Sequence, residues 1–222
     1  MQYLILFLAV AIGYIIALLF SKKGIKLMPM ILAFSGAFLL SVTLFELLPE
    51  VFEEHSKNIG LYIMGGIFLQ IVLDFFSKGA EHGHVHIHDA KKQFPWLLFI
   101  SLSIHALLEG SPVTDNHSMF LAVLVHKVPI AVILALFFHQ SEYPKYVSIV
   151  FLFLFGLMTP LGSYMSVELA SLKAYTTEIN AIAIGVFLHV STTILFESSK
   201  DHKFNLAKLI SIMLGVGLAY FA

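Results

Sequence analysis

Long apolar blocks separated by short polar breaks run along the whole chain. Eight of these blocks are long enough, or nearly long enough, to cross a hydrocarbon core of about 30 Å. They cover residues 3–20, 28–48, 59–76, 94–110, 118–138, 146–166, 179–196 and 204–221. The breaks hold charged residues or clusters of Gly, Pro and Asn, which end helices. The pattern predicts an all-α polytopic membrane protein with eight transmembrane helices, in a single domain spanning residues 1–222.

Composition supports this class, because 59% of the residues are hydrophobic, only 12% are charged and the mean hydropathy is +0.90. Soluble domains carry about twice as much charge. The first apolar block reads as a membrane span and not as a cleaved signal peptide, since lysines follow it instead of preceding it. The expected surroundings are a lipid bilayer, with no nucleic-acid partner.

The lysines predict the orientation of the helices in the membrane. With both termini outside, the cytoplasmic breaks carry nine lysines and the outer breaks carry Lys57 and Lys173 only. Cytoplasmic loops are enriched in Lys and Arg, so this orientation is favoured, and the cell (inner) membrane is the expected location. The nine are Lys22, Lys23, Lys26, Lys78, Lys91, Lys92, Lys145, Lys200 and Lys203.

Four ionisable residues are grouped in two successive apolar blocks: His105 and Glu109 in the fourth, and His126 and Lys127 in the fifth. A charged side chain at the centre of a bilayer costs about 2.5–3.5 kcal/mol on insertion scales, and such groups often mark an ion path. Residues four apart share one helix face, so His105 and Glu109 could hold one ion together. A hydrogen bond without any metal is the alternative for this pair. Cysteine is absent, so a transition-metal site must use imidazole, carboxylate or thioether ligands.

The third connection, about residues 77–93, is rich in histidine. It contains His82, His84, His86 and His88, and it lies in the cytoplasm under the predicted orientation. Imidazole is the commonest side-chain ligand of transition metals, so this loop is expected to bind metal weakly. A polar connector without a metal role is the alternative interpretation.

Several short motifs resemble those of the ZIP family of divalent metal transporters. The run from His105 to Gly110 resembles the family's H-N-x-x-D/E-G motif, and the run from His126 to Ala131 resembles H-E-x-P-H-E. Weaker similarities lie at 47–50, 159–162 and 185–190. The resemblance implies eight spans, an outside amino terminus, a homodimer, and movement of spans one, four, five and six against the others.

The chain departs from that pattern where family members often bind a second metal ion. These positions hold Ala106, Lys127, Ile130 and Ala131, which offer no ligand to a second cation. The resemblance therefore implies one metal held by His105, Glu109 and His126, with Lys127 in the place of the second metal and its charge paired with a carboxylate.

The resulting hypothesis is a transporter that imports a divalent transition metal, most readily Zn²⁺, with Fe²⁺, Mn²⁺ and Cd²⁺ left open. The chain is not expected to be an enzyme or to need a catalytic cofactor. Two rivals stay open: an intramembrane metal-dependent hydrolase, and a transport-inactive metal sensor blocked by Lys127.

Two polar groups outside this cluster carry weaker expectations. Asp115 and His117 lie in the outer connection after the fourth span, where they could capture an incoming cation or simply form a solvated turn. His189 stands where the family usually has an aromatic residue, so packing or hydrogen bonding is favoured over metal ligation.

Overall fold

The computed structural model describes residues 1–20, 25, 27–53, 58–79, 94–114, 116–197 and 206–222. Every regular element within these ranges is helical. The long helices are α1 (Gln2–Phe20), α2 (Met28–Glu53), α3 (Ile59–Ser77), α4 (Trp96–Gly110), α5 (His117–Gln140), α6 (Lys145–Glu168), α7 (Thr176–Glu197) and α8 (Leu206–Tyr220). A π-helical turn, Thr43–Leu47, lies inside α2, and a one-turn helix, Ala170–Lys173, lies between α6 and α7.

The prediction of a multi-pass membrane protein is confirmed, because seven described helices are long and apolar enough to cross a bilayer. The eighth, α8, has 15 described residues and follows a stretch, 198–205, that lies outside the described residues. Fifteen residues of α-helix rise about 22 Å, less than the hydrocarbon thickness of about 30 Å. An eighth crossing, and the outside position of both termini, therefore stay predictions.

The helices pack as two bundles. In the first bundle, α1 packs along α5 and α6, and α4 packs along α6. In the second bundle, α3 packs along α7, and α2 packs along α8 and α7. The two bundles meet where α2 contacts α5 and where α4 contacts α3 and α7. We call this surface the bundle boundary.

Glycines bring helices of the same bundle into backbone contact. A Cβ atom added at Gly66 of α3 or at Gly185 of α7 would overlap the backbone of the other helix, and Gly110 and Gly162 stand in the same relation between α4 and α6. Gly13 joins α1 to α5 in this way, and Gly215 joins α8 to α2. Small residues allow such close packing in membranes. Among the described glycines, each close contact lies within one bundle, and none crosses the bundle boundary.

The fourth helix ends directly after its polar motif, as the sequence predicts. Helix α4 stops at Gly110, and a 3₁₀ turn, Ser111–Val113, carries the chain on towards α5. Pro112 lies in that turn, where its missing N–H costs little. The Asn116 side chain then caps α5 by accepting a hydrogen bond from the Met119 N–H at 3.0 Å. This short connection sets the start of α5 beside the end of α4.

Candidate metal site

The structure brings His105, Glu109 and His126 of the first bundle together. His105 and Glu109 lie one turn apart on α4, and His126 lies on α5. Their exposed fractions are 4%, 1% and 2%. One ligand atom from each of the three lies within 4.8 Å of the others. Three groups that are costly to bury therefore converge on one point at membrane depth.

The spacing of these atoms can be compared with the needs of a bound ion. Zinc binds imidazole nitrogen and carboxylate oxygen at about 2.0–2.2 Å with tetrahedral geometry, which sets neighbouring ligand atoms about 3.4 Å apart. The observed limit of 4.8 Å exceeds this by little more than 1 Å. Small side-chain rotations would suffice to close the site around one cation. The donor set of two imidazoles and one carboxylate suits Zn²⁺ and its borderline neighbours.

The two oxygens of Glu109 have different surroundings. Oε2 accepts hydrogen bonds from Lys127 Nζ at 2.7 Å and from Thr159 Oγ1 at 3.2 Å. Oε1 is buried and has no hydrogen-bond partner among the described residues. A buried acceptor without a partner is costly, and a bound cation would satisfy it. Glu109 can therefore keep both contacts on Oε2 while Oε1 coordinates a metal.

Lys127 is among the largest fully buried side chains in the described part of the chain, with 1% of its surface exposed. It follows His126 on α5, and its ammonium group forms the ion pair with Glu109. The same nitrogen lies 4.3 Å from the centre of the Phe155 ring, a cation–π contact that helps to stabilise the buried charge. The positive charge of Lys127 thus lies next to the point where the ligand atoms meet.

A fourth polar residue, Gln70 of α3, reaches the cluster from the second bundle. Its Oε1 lies 3.1 Å from Nδ1 of His105, and its side chain is fully buried. Sequence reasoning missed Gln70 because it belongs to none of the motifs that drew attention. The signal available in the sequence was an amide four residues before Asp74 in an apolar block, since residues four apart share a helix face.

Asp74 and His189 extend this polar network within the second bundle. Asp74 Oδ1 accepts a hydrogen bond from Gln70 Nε2 at 3.3 Å, and Asp74 Oδ2 lies 2.8 Å from His189 Nε2. Both side chains are partly buried, at 16% and 22% exposed. Asp74, which lies near the end of α3, thus has a histidine partner on α7.

The remaining candidate residues lie apart from the cluster or outside the described residues. His117 is exposed at the start of α5 and stacks on Phe120, with ring centres 6.2 Å apart. Asp115 lies outside the described residues, so the proposed outer capture site is untested. The loop histidines His82, His84, His86 and His88 also lie outside the described residues.

The chain is similar to known zinc transporters. The family model described as "ZIP Zinc transporter" matches residues 81–222, more than half of the chain. The protein zntD of Dictyostelium discoideum is 27% identical over 167 residues, which are 65% of this chain and 24% of zntD. Zinc transporter ZIP1 of Takifugu rubripes is 29% identical over 155 residues, 61% of this chain and 49% of that protein.

A third relative, Zinc transporter ZIP1 of Plasmodium falciparum, is 28% identical over 155 residues, 61% of this chain and 43% of that protein. The aligned region therefore covers half or less of each of these relatives.

Proposed function

Because the chain belongs to the ZIP zinc transporter family, we propose that it imports a divalent transition metal, Zn²⁺ first, into the cytoplasm. The ion would bind at one site between α4 and α5, formed by His105, Glu109 and His126. The observation that carries this proposal is the convergence of three buried ligand atoms within 4.8 Å in helices long enough to span a membrane.

The ligand chemistry suits transport better than permanent storage. A transported ion must bind well enough to lose its hydration shell and weakly enough to leave again. Two neutral imidazoles and one carboxylate, already shared with Lys127 and Thr159, give moderate charge at the site. A four-thiolate cage would hold zinc far more tightly, and the chain has no cysteine to build one.

The direction of transport follows from the predicted orientation. With the termini outside, the ends of α4 and α2 and the start of α5 face outwards, and the histidine-rich loop 77–93 faces the cytoplasm. Ions would enter near Glu50 and Asn116, whose side chains lie 3.4 Å apart at that outer end. They would leave towards the loop, whose imidazoles could accept them. Placement in the cell membrane as a homodimer is part of the same proposal.

One ion, not two, fits the site. Glu109 is the single carboxylate of the cluster, and Lys127 already carries a positive charge 2.7 Å from it. A second divalent cation next to that ammonium group would be repelled and would find only Ala106, Ile130 and Ala131 among the substituted motif positions. Lys127 thus takes the electrostatic role of a second ion.

Zinc uptake into liposomes that contain the purified chain tests the proposal. The His105→Ala variant removes one ligand without adding bulk, and uptake should fall to the level of empty liposomes. His139→Ala is the matched control, since His139 is an exposed histidine in the last turn of α5. Full uptake by His105→Ala, or equal loss in both variants, would refute the site. The same liposomes should release no product from lipid or amide substrates, as expected of a transporter and not of a hydrolase.

The Lys127–Glu109 ion pair supports one further candidate, a metal sensor that does not transport. In that case the ammonium group permanently occupies the carboxylate and blocks passage. Wild-type liposomes would then take up no zinc, whereas Lys127→Met liposomes would. Uptake by the wild-type chain excludes this candidate.

A further inference from the structure

The hydrogen bond between His105 and Gln70 connects the candidate site to the second bundle across the bundle boundary. Glu109 is held by Lys127 of α5 and Thr159 of α6, which belong with α4 to the first bundle. Gln70 instead belongs to α3 of the second bundle. The orientation of one proposed ligand therefore depends on a residue from across the boundary.

Gln70 is itself fixed in direction by a chain of hydrogen bonds inside the second bundle. Its Nε2 group donates to Asp74 Oδ1 at 3.3 Å, and Asp74 Oδ2 is held by His189 Nε2 of α7 at 2.8 Å. With its amide nitrogen directed at a carboxylate, the side chain presents its carbonyl oxygen to His105. The acceptor is thus preset before any ion arrives.

The carbonyl oxygen of Gln70 determines the tautomer of His105. An amide oxygen only accepts hydrogen bonds, so Nδ1 of His105 must carry the proton in the 3.1 Å contact. Nε2 then keeps its lone pair and is the nitrogen able to coordinate a metal. Partners of this kind orient metal-binding histidines and raise their basicity, and their loss commonly weakens metal binding about 10–100-fold.

We infer that Gln70 is a positioning residue that sets the zinc affinity of His105, and that it does so while the two bundles are arranged as in this structure. The inference rests on the proposed function, since it requires His105 to bind the metal. When α4 moves relative to α3, the ring loses its acceptor. His105 then becomes a weaker ligand, which favours release of the ion. The series of hydrogen bonds from His189 through Asp74 to Gln70 thereby links the relative position of the bundles to the zinc affinity of the site.

Zinc titration of the purified full chain in detergent, by calorimetry, tests the positioning role. Gln70→Leu keeps a side chain of comparable size at this buried position but removes the acceptor, so the zinc dissociation constant should rise about 10–100-fold. Ser77→Ala is the matched control, because Ser77 is another buried polar residue of α3 and its hydroxyl donates to the Asp74 carbonyl oxygen of its own helix. Its affinity should equal that of the wild type.

The Gln70→Glu/Asp74→Asn double variant separates positioning from a general loss of packing. It exchanges the donor and the acceptor in the hydrogen bond between residues 70 and 74, since the new amide at position 74 can donate to the new carboxylate at position 70. His105 keeps an acceptor, His189 keeps an acceptor, and the net charge is unchanged. The double variant should bind zinc at least as tightly as the wild type. Weak binding by this variant, or unchanged binding by Gln70→Leu, would overturn the positioning role.

The His105→Ala variant in the same titration separates the two hypotheses. If it binds zinc as the wild type does, the proposed site itself is wrong. If it loses binding while Gln70→Leu keeps it, the site stands and only the role of Gln70 is wrong. In liposomes, Gln70→Leu should raise KM for zinc without lowering Vmax, because release is not hindered. A general loss of folded, active protein would lower Vmax instead.

A cross-link between the two bundles tests whether zinc affinity depends on their relative position. Ser111, in the turn after α4, donates a hydrogen bond to Asn180 of α7 at 2.8 Å, so a Ser111→Cys/Asn180→Cys pair would lie across the boundary. The chain has no other thiol to interfere. After oxidation or treatment with a short bifunctional thiol reagent, transport should stop while zinc binds at least as tightly as in the reduced form. Tenfold weaker binding in the cross-linked form would overturn the link to bundle position.

Discussion

Replacement of Lys127 by methionine should make the protein bind zinc more tightly and release it more slowly. The methionine side chain approximates the length of the lysine stem and can still pack on Phe155. The change removes the ammonium group that lies 2.7 Å from Glu109 Oε2. Loss of a charge from the site is thus the main perturbation.

The size of the effect follows from the geometry of Glu109. An ion bound to Oε1 at about 2.0–2.2 Å would lie about 5 Å from the Lys127 nitrogen on Oε2. At an effective dielectric constant of about 20, a unit charge and a divalent charge at that distance repel by about 6–7 kcal/mol. One fifth of this repulsion, about 1.4 kcal/mol, already changes a dissociation constant tenfold. We therefore expect Lys127→Met to lower the zinc Kd at least tenfold.

The variant should also be less stable without metal, because Glu109 is left buried without its counter-charge. Breaking a buried ion pair on one side commonly costs about 3–5 kcal/mol. In the zinc-bound state the ion itself balances the charge of Glu109, so the zinc-bound variant loses less stability than the unbound variant. Slow release should lower Vmax for uptake while KM falls.

Lys208→Met is the matched control. Lys208 is a second buried lysine, but its nitrogen donates to the carbonyl oxygen of Leu195, within the second bundle. Zinc calorimetry on both variants, with circular dichroism and gel filtration to verify folding, completes the test. A zinc Kd for Lys127→Met equal to or weaker than that of the wild type would refute the electrostatic reasoning.

Two further predictions concern helix packing and stability. Gly66→Ala should lower the thermal unfolding temperature, because the added methyl group meets the backbone of α7. Gly65→Ala should be neutral or slightly stabilising, because its Cβ meets nothing within 4 Å and alanine favours helix. Equal effects of the two substitutions would contradict the close contact of α3 and α7. Zinc at 100 times its Kd should stabilise the folded chain by about 2.7 kcal/mol, seen as a rise in unfolding temperature that a chelator reverses and that His105→Ala does not show. An equal zinc-dependent rise in His105→Ala would place the bound ion elsewhere.

Much of the fold could be predicted because a bilayer imposes simple rules on a sequence. Apolar blocks of sufficient length must be helical, since lipid offers no partner for free backbone groups. Seven of the eight predicted spans accordingly appear as long apolar helices. The end of α4 was predictable too, because Gly110 and Pro112 interrupt the apolar pattern directly after Glu109.

The polar network of the second bundle could not be predicted in the same way. The spacing of His105 and Glu109 is local, so one helix suffices to bring them together. The approach of Gln70 to His105 joins residues 35 positions apart, and that of His189 to Asp74 joins residues 115 apart. Such contacts depend on how helices are arranged around each other. Hydropathy is equal for many arrangements of the same helices and so does not distinguish them.

The described glycine contacts lie within the bundles and not at the bundle boundary, and this affects which substitutions the sequence can accept. Where backbones touch through Gly66, Gly162 or Gly215, any larger residue disturbs assembly itself. Across the boundary none of the described glycines makes such a contact, so a substitution there changes side-chain contacts and does not force two backbones apart. Mutation along the boundary can therefore alter how the two bundles fit together while the backbone contacts within each bundle are kept.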